Sequence, residues 1–229
     1  ADALTMADNH AVYKNGAKEI AHLNGCSITF MAKPDHTWIG NSCHIHSSRW
    51  TPGGEAAFAG ESDVFRQWLA GQIACLKELA IFLAPNVNSY KRYASGSWAP
   101  TTLAWGHDNR TCGFRIVGRG TSLRTETRIP GGDANPYLAF AAVIAAGLYG
   151  IEHGLELPPP LEGNAYESGA ERFPHSLREG IAALEAGTMA RAAFGDQVVE
   201  HYLNYARTEQ ELFDKAVTCY ERERFFERG

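Results

Sequence analysis

A pair of strand-like segments followed directly by a helix constrains the fold most strongly. Residues 112–117 and 122–129 favour strands and are joined by a tight G-R-G turn at residues 118–120. This spacing predicts a hairpin. The D-A-N-P run at residues 133–136 then begins an alanine-rich helix expected to end at about residue 152, because proline is favoured in the first turn of a helix. Any fold for this chain must therefore place a helix directly after two neighbouring strands.

The rest of the chain alternates further helices with short strands. Apolar residues at helical spacing, or capping residues, predict helices over residues 3–23 and 62–83, after Ser176 with its capping-box partner Glu179, and from Asp196. Residues 26–31 and 41–50 predict two strands that form a second hairpin. Residues 86–109 are rich in Ser, Gly, Pro and Trp, and a loop of this length in a compact domain is usually functional.

Composition narrows the class of protein. The 229 residues are 45% apolar and 21% charged, with a net charge of −5, which indicates a globular chain without the basic field that nucleic acids require. The longest apolar stretch, residues 137–149, is shorter than the roughly 20 residues of a membrane span. The five cysteines are widely spaced and contain no C-x-x-C pair. We therefore expect no nucleic-acid or membrane partner, and a cytoplasmic location.

Two short segments carry polar side chains on one strand face. In H-I-H-S-S at residues 44–48, alternation places His44, His46 and Ser48 together, an arrangement that suits a metal ion or a phosphate. In R-T-E-T-R at residues 124–128, the same alternation groups both arginines with Glu126. A carboxylate can hold a metal ion while guanidinium groups bind anionic oxygens. Each segment alone is equally compatible with an ordinary half-exposed strand.

A basic series follows the predicted loop and strands. Its members are Lys91, Arg92, Arg110, Arg115, Arg124 and Arg128. Ordinary surface charge is the alternative, but in an acidic chain this cluster favours an anionic substrate or transition state. Together with His and Glu, it suits phosphoryl transfer, in which catalysis is mainly positioning and charge stabilisation. The chain has no P-loop and no protein-kinase H-R-D or D-F-G motif.

Five ordered motifs carry a resemblance to a known family. They are F-M-A-K-P at residues 30–34, G-N-S-C-H-I-H-S-S at 40–48, N-S-Y-K-R at 88–92, D-N-R at 108–110 with Arg115, and E-T-R at 126–128 with A-N-P-Y-L at 134–138. In this order and spacing the chain resembles the glutamine synthetase family. The resemblance implies an α+β fold, a curved antiparallel β-sheet backed by helices. It also implies ligation of a nitrogen nucleophile to the γ-carboxylate of glutamate, at the expense of ATP, through a γ-glutamyl phosphate.

The resemblance also assigns roles to individual residues. His44 and Glu126 resemble ligands of the metal, Mg²⁺ or Mn²⁺, beside the γ-phosphate. ATP contacts are expected at His46, Ser48, Arg115 and Arg124, glutamate contacts at Gly40, Arg92 and Arg128, and stabilisation of the transferring phosphoryl group at Arg110, Arg115 and Arg128. Tyr166 resembles a tyrosine that is adenylylated in some bacterial members, although the segment also occurs in members without this control.

The resemblance further implies that residues 1–229 form the C-terminal part of the catalytic domain. The family's N-terminal β-grasp domain and several upstream metal-ligating glutamates have no counterpart in this sequence. We therefore expect the 229 residues alone to be inactive. The family assembles into rings whose neighbouring subunits complete each site, so the intact protein is expected to be a homo-oligomer.

Two departures from the family pattern bear on the substrate. Trp98 stands where the family has a glutamate that helps deprotonate ammonium, and an indole offers an apolar, cation–π surface instead. This favours an organic amine, with ammonia as the alternative nucleophile. Ile39 replaces an asparagine beside the amino-acid pocket, so the acceptor need not be unmodified glutamate. A nucleotide-binding pseudoenzyme is a further alternative, and a guanidino kinase is disfavoured because six cations would repel its substrate.

Overall fold

Four short strands form one mixed sheet in the order β1-β4-β3-β2 in the computed structural model, which describes residues 1–228. The strands are β1 (Ile45–Ser47), β2 (Trp105–His107), β3 (Phe114–Val117) and β4 (Arg124–Thr127). β4 pairs antiparallel with both β1 and β3, which confirms the β3–β4 hairpin. β2 pairs in parallel with β3, because the connection 108–113 runs back past β2 before β3 begins.

Helices cover the sheet and extend beyond it. They are α1 (Ala3–Leu23), α2 (Asp63–Cys75), α3 (Ala80–Leu83), α4 (Val87–Tyr90), α5 (Pro136–Glu152), α6 (Leu177–Ala186), α7 (Met189–Phe194), α8 (Asp196–Lys215) and α9 (Cys219–Phe225). The predicted α+β architecture, a sheet backed by helices, is confirmed, although the sheet is not wholly antiparallel. No helix within residues 1–228 is both long enough and apolar enough to cross a membrane.

Side-chain caps define where the helices begin. Asn135 accepts a hydrogen bond from the backbone N–H of Tyr137, directly before the proline that starts α5. Ser176 accepts from the N–H of Glu179, as its capping-box spacing predicts. The prediction that Asp196 caps α8 is wrong by one position. Gly195 is the N-cap, and Asp196 is the first helical residue, whose carboxylate accepts from Arg191 at 2.9 Å.

Helices α2 and α5 pack on each other behind the sheet at backbone contact distance. A Cβ atom on Gly71 would lie 2.1 Å from the carbonyl oxygen of Ala146, and one on Gly150 would lie 2.0 Å from that of Gln67. Glycine at these two positions lets the helices approach closely and bury Trp68 between α5 and β1, where its indole N–H donates to the hydroxyl of Ser47 at 3.3 Å. The remaining core is a continuous set of buried apolar residues from the sheet and helices α2 to α8.

Three local predictions differ from the structure. Residues 26–31 form no strand, and of residues 41–50 only Ile45–Ser47 does. The predicted hairpin between them is wrong, because the segment before β1 bonds to the continuation of β4: the N–H of Cys43 donates to the carbonyl of Pro130 at 2.9 Å. The helix predicted over 62–83 is interrupted between Cys75 and Ala80, and the loop predicted over 86–109 contains α4 and β2.

Candidate active site

A buried carboxylate on β4 is the centre of the site. Glu126 is 3% exposed, and its Oε1 lies 2.9 Å from Nδ1 of His44 and 3.0 Å from Nη1 of Arg128. Its Oε2 accepts from Nη1 of Arg115 at 2.9 Å. We call these four residues the Glu126 cluster. Burial alone would raise the pKa of Glu126, but hydrogen bonds from His44 and Arg115, with the charge of Arg128, outweigh burial and lower it to about 2.

Strand register explains why these residues meet. His46 on β1 and Arg115 on β3 both stand directly opposite Glu126 on β4. Side chains of directly paired residues lie on the same face of a sheet. The register therefore forms a row of imidazole, carboxylate and guanidinium across three strands, with Arg128 just beyond the end of β4.

The nucleotide contacts predicted for His46, Ser48 and Arg124 lie at one end of this row. His46 Nε2 is 3.9 Å from Oε1 of Glu126, and Nε of Arg124 lies 3.2 Å from Nδ1 of His46. Burial lowers the pKa of His46 below its ordinary value, since the nearby Glu126 only partly opposes this effect. Ser48 is exposed and its hydroxyl accepts from the indole N–H of Trp50 at 3.1 Å.

Arg115 has a second acidic partner, for which the sequence predicts no role although it lies in the D-N-R motif. Asp108 accepts from Nε of Arg115 at 2.8 Å and also contacts its Nη2. Burial opposes the charge of Arg115, but the hydrogen bonds that it donates to Asp108 and Glu126 outweigh burial and raise the pKa of Arg115. Asp108 directly follows β2 and adopts φ of +49°, a left-handed conformation that Asp tolerates better than most residues. Its position beside the N-R motif was the available signal.

The predicted glutamate contacts Gly40 and Arg92 lie against each other. A Cβ on Gly40 would lie 2.8 Å from Cγ of Arg92, so only glycine leaves room for this side chain. Arg92 is 3% exposed, and its Nη2 donates to the carbonyl oxygens of Arg128 and Ile129. Among the described residues, the buried Nε atoms of Arg92 and Arg128 have no hydrogen-bond partner. A buried guanidinium N–H without a partner is costly, and an anionic ligand would satisfy it.

The remaining predicted residues divide between the site and its surroundings. Trp98 is 61% exposed and lines a cleft of about 610 Å³ together with Asp108 and Arg110. The carbonyl oxygen of Trp98 accepts from Nη2 of Arg128 at 3.0 Å, which connects this cleft to the Glu126 cluster. Lys91 does not join the site, because its Nζ lies 5.4 Å from the ring of Phe213 on α8.

Ile39 and Tyr166, two further positions named from the sequence, lie outside the Glu126 cluster. Ile39 is 82% exposed and directly precedes Gly40, so its side chain makes no buried contact that would define the amino-acid pocket. Tyr166 lies in the short 3₁₀ turn Ala165–Glu167, and its hydroxyl donates to the carbonyl of Ala99, next to Trp98, at 2.9 Å.

The donor atoms at His44 and Glu126 fit a divalent cation in type. Imidazole nitrogen and carboxylate oxygen are ligands that Mg²⁺ or Mn²⁺ accept. Within residues 1–228, no group of three or more His, Cys, Asp or Glu side chains could hold a metal ion. These two residues therefore supply only part of a coordination shell.

Comparison with known proteins agrees with the family that the five motifs indicate. Residues 1–225 match the family described as glutamine synthetase, catalytic domain. The chain is 56% identical to a gamma-glutamylethanolamide synthetase of Streptomyces coelicolor, over 99% of this chain and 50% of that protein. It is 44% identical to a glutamate–isopropylamine ligase of a Pseudomonas species, over 88% of this chain and 46% of that protein.

Solved structures give the same result for the fold. The structure of GmaS with ADP, in conformation 1, superposes with a TM-score of 0.91 at 36% identity, covering 99% of this chain and 55% of that chain. Ligand-free GmaS superposes with a TM-score of 0.90 at the same identity. The chain thus spans about half of the length of the proteins it matches. The motifs, the sheet and the match over residues 1–225 establish that this chain belongs to the glutamine synthetase catalytic-domain family.

Proposed function

We propose that the full-length protein is an ATP-dependent ligase that joins an organic amine to the γ-carboxylate of glutamate. One observation carries the proposal: Arg128 contacts both Glu126 and the carbonyl of Trp98, and so connects the Glu126 cluster to the cleft that the Trp98 indole lines. The names of the two amine-ligating relatives support the same substrate class.

The reaction proceeds in two balanced steps. A γ-carboxylate oxygen of glutamate attacks the terminal phosphorus of ATP, and the bond to the ADP oxygen breaks. The amine nitrogen then attacks the γ-carbonyl carbon of the acyl phosphate, inorganic phosphate leaves, and one proton of the attacking nitrogen is released. The first step transfers a phosphoryl group and the second expels phosphate, and both groups are highly charged. Fixed positive charge in the site therefore lowers the activation free energy of both steps.

The arginines of the site supply this charge. Arg115 and Arg128 converge on Glu126 from two sides, which fixes both guanidinium groups, and Asp108 holds Arg115 from its other side. The free Nε of Arg128 is the donor we assign to the transferring phosphoryl group or to glutamate, and that of Arg92 to the substrate carboxylate. Arg110, which lines the Trp98 cleft, is the third arginine that we assign to the transferring phosphoryl group.

Nucleotide and metal contacts complete the proposal. We assign His46, Ser48 and Arg124 to ATP, with Arg115 as a further contact, because they continue the row at the edge of the sheet. His44 and Glu126 would hold a divalent cation, Mg²⁺ or Mn²⁺, which when bound neutralises phosphate charge. Both residues are fixed by their mutual contact at 2.9 Å.

We assign the activity to the full-length protein and not to these 229 residues alone. Two candidate metal ligands are too few for a divalent cation, which takes about six oxygen or nitrogen ligands. Gly40, Arg92 and Trp98 would form the glutamate and amine subsites. A homo-oligomeric ring and a cytoplasmic location remain predictions, which sedimentation and fractionation of the full-length protein test.

Trp98 bears on whether the nucleophile is an organic amine or ammonia. Ammonia is the alternative because other matched relatives are named glutamine synthetase. The test measures phosphate release from ATP and glutamate with ammonia, ethanolamine and isopropylamine. We expect an amine to exceed ammonia in kcat/KM. Trp98→Glu should shift the ratio toward ammonia by about two- to fivefold, the size of a cation–π contact at an exposed aromatic ring such as Trp98. Trp98→Phe keeps an aromatic face and should keep the preference.

Three outcomes count against the proposal. Higher kcat/KM for ammonia than for every amine, in the unmodified protein, would replace it with true glutamine synthetase activity. ATP binding without phosphate release under all conditions would favour a pseudoenzyme. An unchanged amine-to-ammonia ratio in Trp98→Glu would remove Trp98 from the amine pocket.

A further inference from the structure

The loop that carries Trp98 is held at two consecutive carbonyl groups. We call residues 94–100 the Trp98 loop. The carbonyl of Trp98 accepts from Arg128 at 3.0 Å, and that of Ala99 accepts from the hydroxyl of Tyr166 at 2.9 Å. Trp98 adopts φ of +61°, a region that non-glycine residues rarely occupy unless their surroundings impose it. These two hydrogen bonds hold the loop from outside, in addition to the internal hydrogen bonds of the Ser97 hydroxyl.

Tyr166 is itself rigidly anchored. The N–H of Ala165 donates to the hydroxyl of Thr111 at 2.9 Å, and the side-chain amide of Asn109 donates to the carbonyl of Gly163 at 2.8 Å. The turn that holds Tyr166 is thus bonded on either side of Arg110. Through its hydroxyl, Tyr166 connects the segment that carries Arg110 to the loop that carries Trp98.

Burial makes this connection effective. Ala99 is 4% exposed and Tyr166 is half-buried, so water competes poorly for the hydrogen bond between them. Burial also raises the pKa of Tyr166, which keeps its hydroxyl protonated and able to donate at neutral pH. The side chain of Trp98, in contrast, is 61% exposed and makes no hydrogen bond through its indole N–H among the described residues.

We propose that Tyr166 is a positioning residue for the amine pocket: by holding the carbonyl of Ala99, it fixes the Trp98 indole in the cleft that Arg110 also lines. The proposal rests on the assignment of Trp98 to that pocket. Tyr166 does not touch the reacting atoms. Its effect on the reaction passes through the Trp98 loop, and the substrate it affects is the nitrogen nucleophile, since the proposed function assigns ATP and glutamate to other residues.

The test compares Tyr166→Phe with the unmodified full-length protein. Removal of one buried hydrogen bond should raise the KM for the amine about fivefold, with kcat and the KM values for ATP and glutamate changed less than twofold. Hydrogen–deuterium exchange of peptides covering residues 94–100 should accelerate by a similar factor. Tyr205→Phe is the matched control, because Tyr205 is 46% exposed on α8 and does not line the Trp98 cleft.

A double variant tests whether Tyr166 acts through Trp98. In a Trp98→Ala background, Tyr166→Phe should change the KM for the amine less than twofold, because the indole it positions is gone. A purely structural role would give the same penalty in both backgrounds. That result would overturn the proposal.

The exchange measurement separates this proposal from the proposed function. If the protein uses ammonia, the proposed use of an organic amine is wrong. The comparison of Tyr166→Phe with the unmodified protein then measures the KM for ammonia instead of the KM for the amine. Unchanged exchange over residues 94–100 in Tyr166→Phe overturns the positioning role whichever nucleophile is used. Faster exchange with an unchanged KM for the nitrogen substrate overturns it as well.

Discussion

Replacement of Gly150 by alanine tests how the sheet is supported. Gly150 lies on α5 where this helix touches α2, and an added Cβ would lie 2.0 Å from the carbonyl oxygen of Gln67 and 2.6 Å from the backbone nitrogen of Gly71. Both neighbours are backbone atoms of a helix, so neither can rotate away. The variant Gly150→Ala must therefore move α5 and α2 apart.

The size of the effect follows from this distance. An ordinary contact of a methyl group is about 3.5 Å, so the helices must separate by more than 1 Å at this point. A gap of about 0.5–1 Å already removes a quarter to a half of the dispersion energy of an atomic contact. Overpacking costs about 1–3 kcal/mol in ordinary cores, and here it exceeds the gain of about 1 kcal/mol that alanine brings to a helix. We expect a net loss of about 2 kcal/mol or more.

Urea unfolding followed by circular dichroism measures this loss. Gly16→Ala is the matched control, because Gly16 also lies within a helix, α1, but an added Cβ would meet no atom within 4 Å. That variant should gain about 0.5–1 kcal/mol in free energy of unfolding. If Gly150→Ala were as stable as Gly16→Ala, the helices would not be in backbone contact, and the account of how α2 supports β4 would be refuted.

Two further predictions concern buried polar groups. Burial raises the pKa of Cys75 to about 12 and that of Cys112 to about 11. At pH 8 a disulfide reagent should therefore react with these two thiols more than 100-fold slower than with the exposed Cys26 and Cys219. Unfolding in urea should remove the difference in rate. Thr127→Val removes the hydrogen bond that Thr127 donates to Gln72 at 2.6 Å and should lower the free energy of unfolding by about 2 kcal/mol, whereas the exposed Thr121→Val should change it by less than about 0.5 kcal/mol in the same urea titration.

Local sequence signals predicted the elements whose partners are close in the chain. The β3–β4 hairpin follows from two strand-like segments and a short glycine-containing turn. The start of α5 follows from an asparagine cap and a proline, and that of α6 from a capping box. The alternation of side chains correctly grouped Glu126 with Arg128, which lie 3.0 Å apart. In each case the decisive interaction spans only a few residues.

Several predictions failed where the pairing of strands or the path of the chain decides the contact. Residues 41–50 favour a strand, but nothing in their composition shows that Cys43 bonds to Pro130 and not to the nearer segment 26–31. Asp108 and Arg115 are joined by the return of the chain from β2 to β3, a path that periodicity does not describe. The motif resemblance identified these positions, but only the pairing of strands explains their contacts.

The contacts behind the sheet determine which residues meet in front of it. A shift of one residue between β1 and β4 would turn every side chain to the opposite face, and Thr125 or Thr127 would replace Glu126 in the row. The observed register is fixed from behind by the hydroxyls of Ser47 and Thr125, 2.8 Å apart, and by the hydrogen bond from Thr127 to α2. The threonines that alternate with the charged residues on β4 therefore hold the Glu126 cluster in alignment. They also transmit to this cluster any displacement of α2 by α5.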